Sequence, residues 1–327
     1  MKLSDFRAII GKELLPRVSI ILHRKGLNIA MTHWFFEDQT EFTRIGFQVR
    51  ELLHQESSPY QTIKIYDTVE YGRMLALDDV IQVTELDEFV YHEMLSHVPL
   101  HAHPRPEAVL VVGGGDGGMV REVSKHSAVE RIVLAEIDEA VIRTSIEYLP
   151  SISCALKDNP KLEICVGDAV DYVRQSVEEF DLIIVDSSDP VDIGEGLFTK
   201  EFYRNVFRAL KPGGMVAVQG ESPWLHRPLV KRICGDLKEI FPIGKMYWAN
   251  IPTYPSGVMA FPVGSKGGDP AVPLHPALPG LRYYSSEIHK SAFVLPLHLQ
   301  PEQMEDTPFE FFASYETHDR TKKSGHR

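Results

Sequence analysis

Short apolar runs alternate with amphipathic segments along most of the chain from about residue 107 onward. The apolar runs predict strands at Ala108–Val112, Arg131–Glu136, Leu162–Val166, Leu182–Val185, Met215–Gln219, Lys245–Ile251 and Val258–Phe261. Segments with apolar residues on one helical face predict helices at Asp138–Leu149, Ala169–Val177, Lys200–Leu210 and Leu225–Phe241. Strands and helices in alternation are typical of a mainly parallel sheet covered by helices, so this region is predicted to be an α/β domain of about seven strands.

The pattern is different ahead of this region, where short strands follow one another without helices. Alternating or clustered apolar residues predict strands at Gly46–Leu53, Gln61–Asp67, Gly72–Leu77 and Val80–Val83, with turn-forming residues between them. A helix is predicted to begin near Asp87, with Thr84 or Asp87 available as its cap, and to end at about His97. These elements predict a small antiparallel β-domain at the N-terminal side of the α/β domain.

We therefore divide the chain into four parts: an extension at 1–32, the β-domain at 33–100, the α/β domain at 101–300 and a disordered tail at 301–327. The extension has basic residues around the apolar run Val18–Leu22, which is short even for a signal peptide and has no small-residue cleavage site after it. Met31 stands just before the aromatic residues Trp34-Phe35-Phe36. Our hypothesis is that Met31 is the biological start, or that residues 1–30 are dispensable.

The net charge, the length of the apolar runs and the number of cysteines limit which partners and surroundings the protein can have. The 327 residues include 46 Asp and Glu against 34 Lys and Arg, a formal charge of −12 that disfavours nucleic acid and anionic membranes and fits a cationic substrate. No apolar run approaches the roughly 18 residues of a membrane-spanning helix. The three cysteines, Cys154, Cys165 and Cys234, lack metal-binding spacing, and we expect reduced thiols in the cytoplasm.

A glycine-rich turn follows the first strand of the predicted α/β domain. The spacing Gly113-x-Gly115-x-x-Gly118 after a buried strand and before a helix is typical of the first half of a Rossmann-like nucleotide-binding unit. Asp116 lies within the turn, where a carboxylate would repel a pyrophosphate held at the helix N-terminus. The turn therefore suits a ligand with cationic or donor groups, such as a sulfonium nucleoside, although Asp116 could also serve only as a helix cap.

Acidic residues also end the next three predicted strands. Glu136 lies about 20 residues after the glycine turn, where an acid typically binds ribose hydroxyls. Asp168 is placed to accept a hydrogen bond from an adenine amino group or to cap a helix. For Asp138, capping of the next helix is the preferred interpretation. Asp186 follows an almost wholly apolar strand. Because the carboxyl ends of such strands share one rim, the acids should repel one another unless positive ligands bind there.

Taken together, these motifs resemble the spermidine synthases, a family of polyamine aminopropyltransferases, from about Trp34 to Leu299. The resemblance lies in Tyr60-Gln61, Val80-Ile81-Gln82, Asp87-Glu88-Phe89, Tyr91-His92-Glu93-Met94, GGGDGG, Glu136-Ile137-Asp138, Gly167-Asp168, DSSDP at 186–190, Gln219-Gly220-Glu221, 251–257, Arg282-Tyr283-Tyr284 and 292–296. The family transfers the aminopropyl group of decarboxylated S-adenosylmethionine to putrescine, giving spermidine and 5′-methylthioadenosine. It also implies a methyltransferase-type, Rossmann-like α/β fold.

Carried onto matching positions, the resemblance implies a donor site and an acceptor channel. It implies donor binding by Gln61, Asp116, Glu136, Ile137, Asp168 and Ala169. It implies acceptor binding by Trp34, Tyr91, His92, Asp189, Gln219 and Tyr254. His92 stands where some family members have Gln. The segment Val191-Asp192-Ile193-Gly194 replaces a Gly-Pro in the loop that gates the site of relatives.

The implied reaction is a displacement at the carbon next to a sulfonium, with an amine as the nucleophile. Because an alkyl amine has a pKa of about 10.4, only about one molecule in a few thousand is neutral at pH 7. Asp186, helped by Tyr91, is the expected general base, whereas Asp189 would position the amine. The donor is a co-substrate, so no cofactor and no metal are expected. The β-domain is expected to support a homodimer or a homotetramer.

Other functions fit parts of the pattern. An amine N-methyltransferase would use the same scaffold with the intact methyl donor, and a protein that only binds polyamines or nucleosides would need part of the site. A nicotinamide dehydrogenase is disfavoured because the carboxylate of Asp116 would repel the pyrophosphate of the cofactor. The histidines at positions 92, 97, 101 and 103 suggest a metal site, but His92 and His97 lie about 140° apart around a helix, so no zinc motif is expected.

Overall fold

The computed structural model describes residues 18–19, 32–187 and 196–304, which form two sheets with helices around the second. Several sequence-based predictions fall outside these residues: the role of Asp189, the loop Val191–Gly194, the tail beyond residue 304 and nearly all of the N-terminal extension. No helix in the described part of the chain is both long and apolar enough to cross a membrane.

The first sheet confirms the predicted small antiparallel domain. Its strands pair in chain order and are β1 (Val18–Ser19), β2 (Thr32–Asp38), β3 (Arg44–Ser57), β4 (Thr62–Thr68), β5 (Arg73–Leu77) and β6 (Val80–Thr84). β3 is longer than predicted. The aromatic segment before it forms β2, which pairs with β3 from His33 opposite Val49 to Asp38 opposite Arg44.

Both faces of the first sheet are buried, as the two-residue alternation of its strands requires. One face packs on the α/β domain through Ile63, Ile65, Leu75, Val83, Val141, Leu149 and Ile152. The other face holds Phe35, Phe47, Val49, Met74, Ala76 and Ile81. The first of these two clusters joins the sheet to residues of the second domain and so fixes one against the other.

The second sheet confirms the predicted mainly parallel sheet of seven strands. Its strands are β7 (Ala108–Gly113), β8 (Arg131–Glu136), β9 (Leu162–Val166), β10 (Phe180–Asp186), β11 (Leu210–Val218), β12 (Ile243–Asn250) and β13 (Val258–Ser265). Their order is β12-β13-β11-β10-β7-β8-β9, with β7 to β11 parallel. β12 and β13 pair antiparallel because the segment between Asn250 and Val258 is too short for a crossover connection.

Seven helices occur among the described residues. They are α1 (Glu88–Ala102), α2 (Gly118–Ser124), α3 (Glu139–Tyr148), α4 (Ala169–Gln175), α5 (Lys200–Ala209), α6 (Arg227–Ile240) and α7 (Ser286–Ala292). The helices predicted at the positions of α3 to α6 are present, each with ends within a few residues of the prediction. They cover the second sheet, which carries an apolar cluster on each face.

Helix α1 is buried on nearly every side, and it runs five residues beyond the predicted end at His97. Pro99 lies inside it, although proline removes one backbone hydrogen bond and usually ends a helix. Met94, Leu95 and Val98 are fully buried in the core of the α/β domain. The burial of this apolar surface stabilises the last turn despite the missing hydrogen bond.

Candidate active site

A cavity of about 420 Å³ lies at the carboxyl ends of the central strands of the second sheet, and the first sheet supplies part of its wall. Ten of the residues expected from the sequence line it: Gln61, Tyr91, Asp116, Glu136, Ile137, Asp168, Ala169, Asp186, Gln219 and Tyr254. The four acids expected at the carboxyl edge of the parallel sheet, Asp116, Glu136, Asp168 and Asp186, therefore line the same cavity.

The glycine turn brings two neighbouring strands together at the floor of this cavity. Gly113 and Gly114 have φ angles of 76° and 75°, in the left-handed region that favours glycine. A Cβ atom at Gly113 would lie 2.2 Å from the backbone oxygen of Asp186, and one at Gly114 would lie 2.7 Å from Asp186 Oδ2. Glycine is thus required here for the close approach of β7 to the end of β10.

Asp116 both lines the cavity and binds the start of the following helix. The Gly118 N–H donates to its Oδ1 at 2.7 Å, and His92 Nε2 lies 3.3 Å from the same oxygen. Burial acts to raise the pKa of Asp116, but the charge of His92 and the hydrogen bonds from His92 and Gly118 outweigh it and lower the pKa. The two interpretations of Asp116, as a helix cap and as a ligand-binding group, therefore do not exclude each other.

His92 lies behind Asp116, fully buried, and is not among the residues that line the cavity. Its Nδ1 is 2.5 Å from Glu88 Oε2, and Arg121 pairs with the same carboxylate. Burial favours the neutral ring, but Asp116 and Glu88 together raise the pKa of His92 to about 10. This placement changes the role expected for His92 from acceptor contact to holding Asp116 in its charged form.

Asp186 ends β10 with its carboxylate inside the cavity. The Tyr91 hydroxyl donates to Oδ1 at 2.5 Å, whereas Oδ2 is buried with no hydrogen-bond partner in the part of the chain that the structure describes. Burial and the negative charge of Asp116 raise the pKa of Asp186 to about 7, against the opposing effects of His92 and Tyr91. A carboxyl group poised near neutral pH can both accept and release a proton there.

Glu136 lines the opposite side of the glycine turn. Its Oε2 accepts from the Gly115 N–H at 3.1 Å, and its Oε1 accepts from the Asp138 N–H at 2.9 Å. Burial, with a contribution from the charge of Asp138, raises the pKa of Glu136 to about 7. Both oxygens are fixed by the backbone, which orients the carboxylate for hydroxyl groups of a ligand.

Asp138 is confirmed as the N-cap of α3, because its side chain accepts from the Ala140 N–H. Its other oxygen accepts from Ser58 Oγ at 2.7 Å and from Gln61 Nε2 at 2.9 Å. The cap therefore also holds Gln61 of the N-terminal region at the cavity. Asp168 caps α4 in the same way, through the Val170 N–H at 2.8 Å, while lining the cavity.

The other end of the cavity is polar as well. Tyr254 donates to the backbone oxygen of Gln82 at 2.6 Å, and Gln219 Nε2 donates to Glu221 Oε1 at 2.8 Å. Glu221 has a φ angle of 71°, a strained conformation for a residue other than glycine, and it is among the residues that line the cavity. Burial raises the pKa of Glu37, and the negative charge of Glu221 adds to this effect.

Sequence reasoning gave no role to Gln82, Glu221 or Glu37. Glu221 follows the end of β11, so the search for acids at strand ends could have found it. Glu37 belongs to β2 of the other sheet, and no local pattern connects it with the cavity. Conversely, Trp34 was expected at the acceptor channel but is not among the residues that line the cavity; its ring stacks on Phe36 at 6.1 Å.

Two clusters of buried side chains have donor atoms close enough for a metal ion within the described residues. One consists of His92, Asp116 and Asp186, and the other of His97, His101 and His126. In the first cluster, the pKa of His92 is raised to about 10, so its imidazole is protonated at neutral pH. This positive charge already balances the negative charge of Asp116. The second cluster is not among the residues that line the cavity.

The sequence and the fold have close counterparts among known proteins. The family model of the spermine/spermidine synthase domain matches residues 88–275, and that of the spermidine synthase tetramerisation domain matches residues 33–85. The chain belongs to the spermidine synthase family. Its members are polyamine aminopropyltransferases, so the prediction of an enzyme of this class is confirmed.

Individual members of the spermidine synthase family cover most of the chain. A polyamine aminopropyltransferase from Thermoanaerobacter sp. (strain X514) is 52% identical over 268 residues, 81% of this chain and 96% of the relative. One from Moorella thermoacetica is 49% identical over 269 residues, 82% of this chain and 95% of the relative. A solved spermidine synthase in complex with the transition-state analogue AdoDATO has a TM-score of 0.81 at 37% identity, covering 89% of this chain and 99% of that one. The spermidine synthase of Thermotoga maritima has a TM-score of 0.78 at 35% identity, covering 90% and 99% of the two chains.

Proposed function

We propose that this family member transfers the aminopropyl group of decarboxylated S-adenosylmethionine to putrescine, giving spermidine and 5′-methylthioadenosine. The observation that carries the proposal is the state of Asp186. One of its oxygens accepts from Tyr91 at 2.5 Å, the other has no partner among the described residues, and its pKa is raised to about 7. A buried carboxylate that titrates near neutral pH suits the removal of a proton from an amine.

The chemical step joins the two substrates by nucleophilic displacement. The lone pair of the attacking amine forms a bond to the carbon next to the sulfonium, and the carbon–sulfur bond breaks with its electrons going to sulfur. The proton that the amine loses passes to Asp186. Because putrescine reaches the enzyme almost wholly protonated, this base and the nearby positive sulfonium both favour the neutral nucleophile. Orientation of the two substrates in one cavity supplies much of the remaining acceleration.

Glu136 and the residues around it fit the nucleoside half of the donor. Both oxygens of Glu136 are held by backbone N–H groups beside the glycine turn, which suits two neighbouring ribose hydroxyls. Asp168 caps α4 at the same wall and would accept from the adenine amino group. Ile137 and Ala169 add apolar contact area, and Gln61, held by Asp138, closes this side.

Asp116 gives a reason for the choice of the decarboxylated donor. It lies in the cavity as an anion, because His92 lowers its pKa. The decarboxylated donor would present an ammonium group to this carboxylate, whereas intact S-adenosylmethionine would also present a carboxylate. Like charges in a buried site repel strongly, so intact S-adenosylmethionine is expected to bind more weakly.

The acceptor is proposed to lie between Asp186 and the polar end of the cavity. Tyr91, Gln219 and Tyr254 line this part, and Asp189 is assigned to the same channel on the resemblance alone. Glu221, which also lines the cavity, would balance the charge of the distal ammonium of putrescine. Trp34 remains a proposed contact on the resemblance, and the structure offers no argument for it.

The first sheet is proposed to assemble the protein into a homodimer or a homotetramer, because it matches the model described as the spermidine synthase tetramerisation domain.

The reaction as written needs no cofactor beyond the co-substrate and no metal at the reacting atoms. The three cysteines are unpaired, in keeping with the reducing cytoplasm expected from the sequence.

A product assay tests the proposal. The purified protein, given putrescine and decarboxylated S-adenosylmethionine labelled in the aminopropyl group, should release labelled spermidine together with 5′-methylthioadenosine. Asp186→Asn should lower kcat by at least about 100-fold, the lower end of the usual contribution of a general base, while donor affinity changes little. Asp158→Asn, at an exposed position outside the cavity lining, is the matched control and should keep wild-type turnover.

Two results would overturn the assignment. Label transferred from the methyl group of intact S-adenosylmethionine, with none from the aminopropyl group, would make the protein an N-methyltransferase. Tight binding of both substrates without any product would make it a binding protein. Near-normal turnover by Asp186→Asn would leave the overall reaction standing and exclude Asp186 as its base.

A further inference from the structure

Three buried histidines, none of them among the residues that line the cavity, meet beside α1. His97 and His101 lie one turn apart on α1, and His126 follows α2, 29 residues after His97. Their exposed fractions are 0%, 1% and 8%. Sequence reasoning tested only histidines that are close in the chain, and no spacing pattern connects His126 with the other two.

The distances within this histidine cluster fit one small metal ion. One donor nitrogen of each ring lies within 4.8 Å of the others. The ring centres are 5.6 Å apart for His97 and His101, 5.1 Å for His97 and His126, and 4.9 Å for His101 and His126. Three imidazoles bound tetrahedrally at about 2.05 Å have ring centres about 5.2 Å apart, so only small movements separate the cluster from ligand geometry.

Hydrogen bonds fix which nitrogen of each α1 histidine is available. His101 Nδ1 lies 2.8 Å from the backbone oxygen of His97, so it carries the proton and Nε2 has the lone pair. That Nε2 is buried and has no hydrogen-bond partner in the described residues. His97 Nε2 lies 2.9 Å from Glu122 Oε2 and donates to it, which leaves Nδ1 facing His126 Nε2 at 2.8 Å.

The contact between Glu122 and His97 is the arrangement found behind metal-binding histidines. A carboxylate that accepts from one ring nitrogen fixes the tautomer and increases the basicity of the other nitrogen. Glu122 is in turn held by Arg121 and Lys125, so its position is determined. His101 stacks on Tyr284 with ring centres 4.7 Å apart, which orients the second ligand.

We propose that His97 Nδ1, His101 Nε2 and His126 Nε2 bind a divalent transition-metal ion of the zinc type, with a fourth position open to water. Imidazole nitrogens select such ions over Mg²⁺ and Ca²⁺, which prefer oxygen. On binding, the proton between His97 Nδ1 and His126 Nε2 leaves Nε2, and the neutral His126 ring carries its proton on Nδ1 instead. The ion satisfies the otherwise unpartnered His101 Nε2 and fastens the end of α2 to α1, behind the glycine turn.

Metal titration of the tag-free, full-length protein tests the site. Protein dialysed against a chelator should take up one Zn²⁺ per chain, measured by elemental analysis, and should show the visible absorption bands of tetrahedral Co²⁺ when Co²⁺ replaces Zn²⁺. His101→Gln and His126→Gln should each weaken binding more than about 100-fold, because loss of an outer-shell partner alone costs about 10- to 100-fold. Glu122→Gln should cause a loss within that smaller range.

Two controls separate this site from others. His33→Gln, at an exposed position on β2, should leave the uptake unchanged. Asp186→Asn should also retain the ion, because Asp186 belongs to the other buried cluster. The proposal is overturned if wild-type protein takes up no Co²⁺ or Zn²⁺, or if either ligand variant, folded by circular dichroism, binds as tightly as wild type. Loss of the ion in Asp186→Asn would move it to the active-site cluster and overturn the proposal as well. The wild-type titration decides alone if the ligand variants do not fold.

Discussion

Removal of one negative charge beside the proposed base gives a quantitative test of the electrostatics of the cavity. In Asp116→Asn the side chain keeps its size and can still accept from the Gly118 N–H, but it no longer carries charge. The charge of Asp116 is one of the two causes that raise the pKa of Asp186 to about 7; burial is the larger one. The substitution should therefore lower the pKa of Asp186 without changing the shape of the site.

The size of the shift follows from the distance. One carboxylate oxygen of Asp116 lies within 4.8 Å of one carboxylate oxygen of Asp186. Two unit charges at this separation interact by about 3.5 kcal/mol at an effective dielectric constant of about 20, which corresponds to about 2.5 pKa units. Since burial contributes more than Asp116 to the raised pKa of Asp186, we expect its pKa to fall by about one to two units.

The pH dependence of kcat/KM for the donor measures this shift, because it reports the ionisations of the free enzyme. Activity requires the ionised base and is lost as the pH falls through the pKa of Asp186, near pH 7 in the wild type. In Asp116→Asn the acid limb should move to about pH 5 to 6, whatever the loss in absolute rate. His92→Gln is the opposite control, because the charge of His92 lowers the pKa of Asp186 and its removal should move the limb upward. An acid limb that stays in place in both variants would refute the assignment of Asp186 as the titrating base.

Three further predictions concern other parts of the chain. Asp189→Asn, in the segment outside the described residues, should raise the KM for putrescine with little change in kcat, and an unchanged KM in steady-state assays would contradict its role. The pKa of His92 is raised from 6.5 to about 10, so its stabilising contribution is complete below pH 6.5 and is lost as the pH rises through 10. The difference in Tm between wild type and His92→Gln should accordingly shrink over that range, and a constant difference would disprove it. Ile65→Ala, at a fully buried position between the two domains, should reduce the free energy of unfolding by about 2–5 kcal/mol in denaturant titrations, and a loss below about 1 kcal/mol would show that the site repacks.

The central strands were predictable because burial on both faces leaves long apolar runs, and the bounds of β8 agree with the sequence to the residue. The bounds of the edge strand β9 also agree, although its residues are exposed or half-buried. Helix α1 was predicted too short because Pro99 is a local signal to stop, and only the surrounding core overrides it. The strand β2 was missed because its partner β3 is what identifies its aromatic residues as a strand. Strand pairing depends on two segments of the chain, so the local pattern of either segment alone predicts it poorly.

The candidate site, like the fold, was predictable only in part from the sequence. Asp116, Glu136 and Asp186 could be placed at one rim because each ends or follows a strand of one sheet, and the topology of that sheet is general. The position of His92 behind Asp116 depends on how α1 packs under the glycine turn, where a Cβ at Gly118 would lie 2.3 Å from the imidazole ring. Only packing of this kind shows that His92 lies behind Asp116 and not among the residues that line the cavity.

Residues between Tyr60 and Val83, in and around the first sheet, form one wall of the cavity. The hydrogen bonds from Ser58 and Gln61 to Asp138 attach that wall to the first turn of α3, beside the proposed ribose site. An isolated α/β half would retain the acids at its rim, yet it would leave them open to bulk water on one side. The sheet that matches the tetramerisation-domain model is therefore also part of the cavity wall, so the proposed assembly and the proposed reaction depend on the same strands.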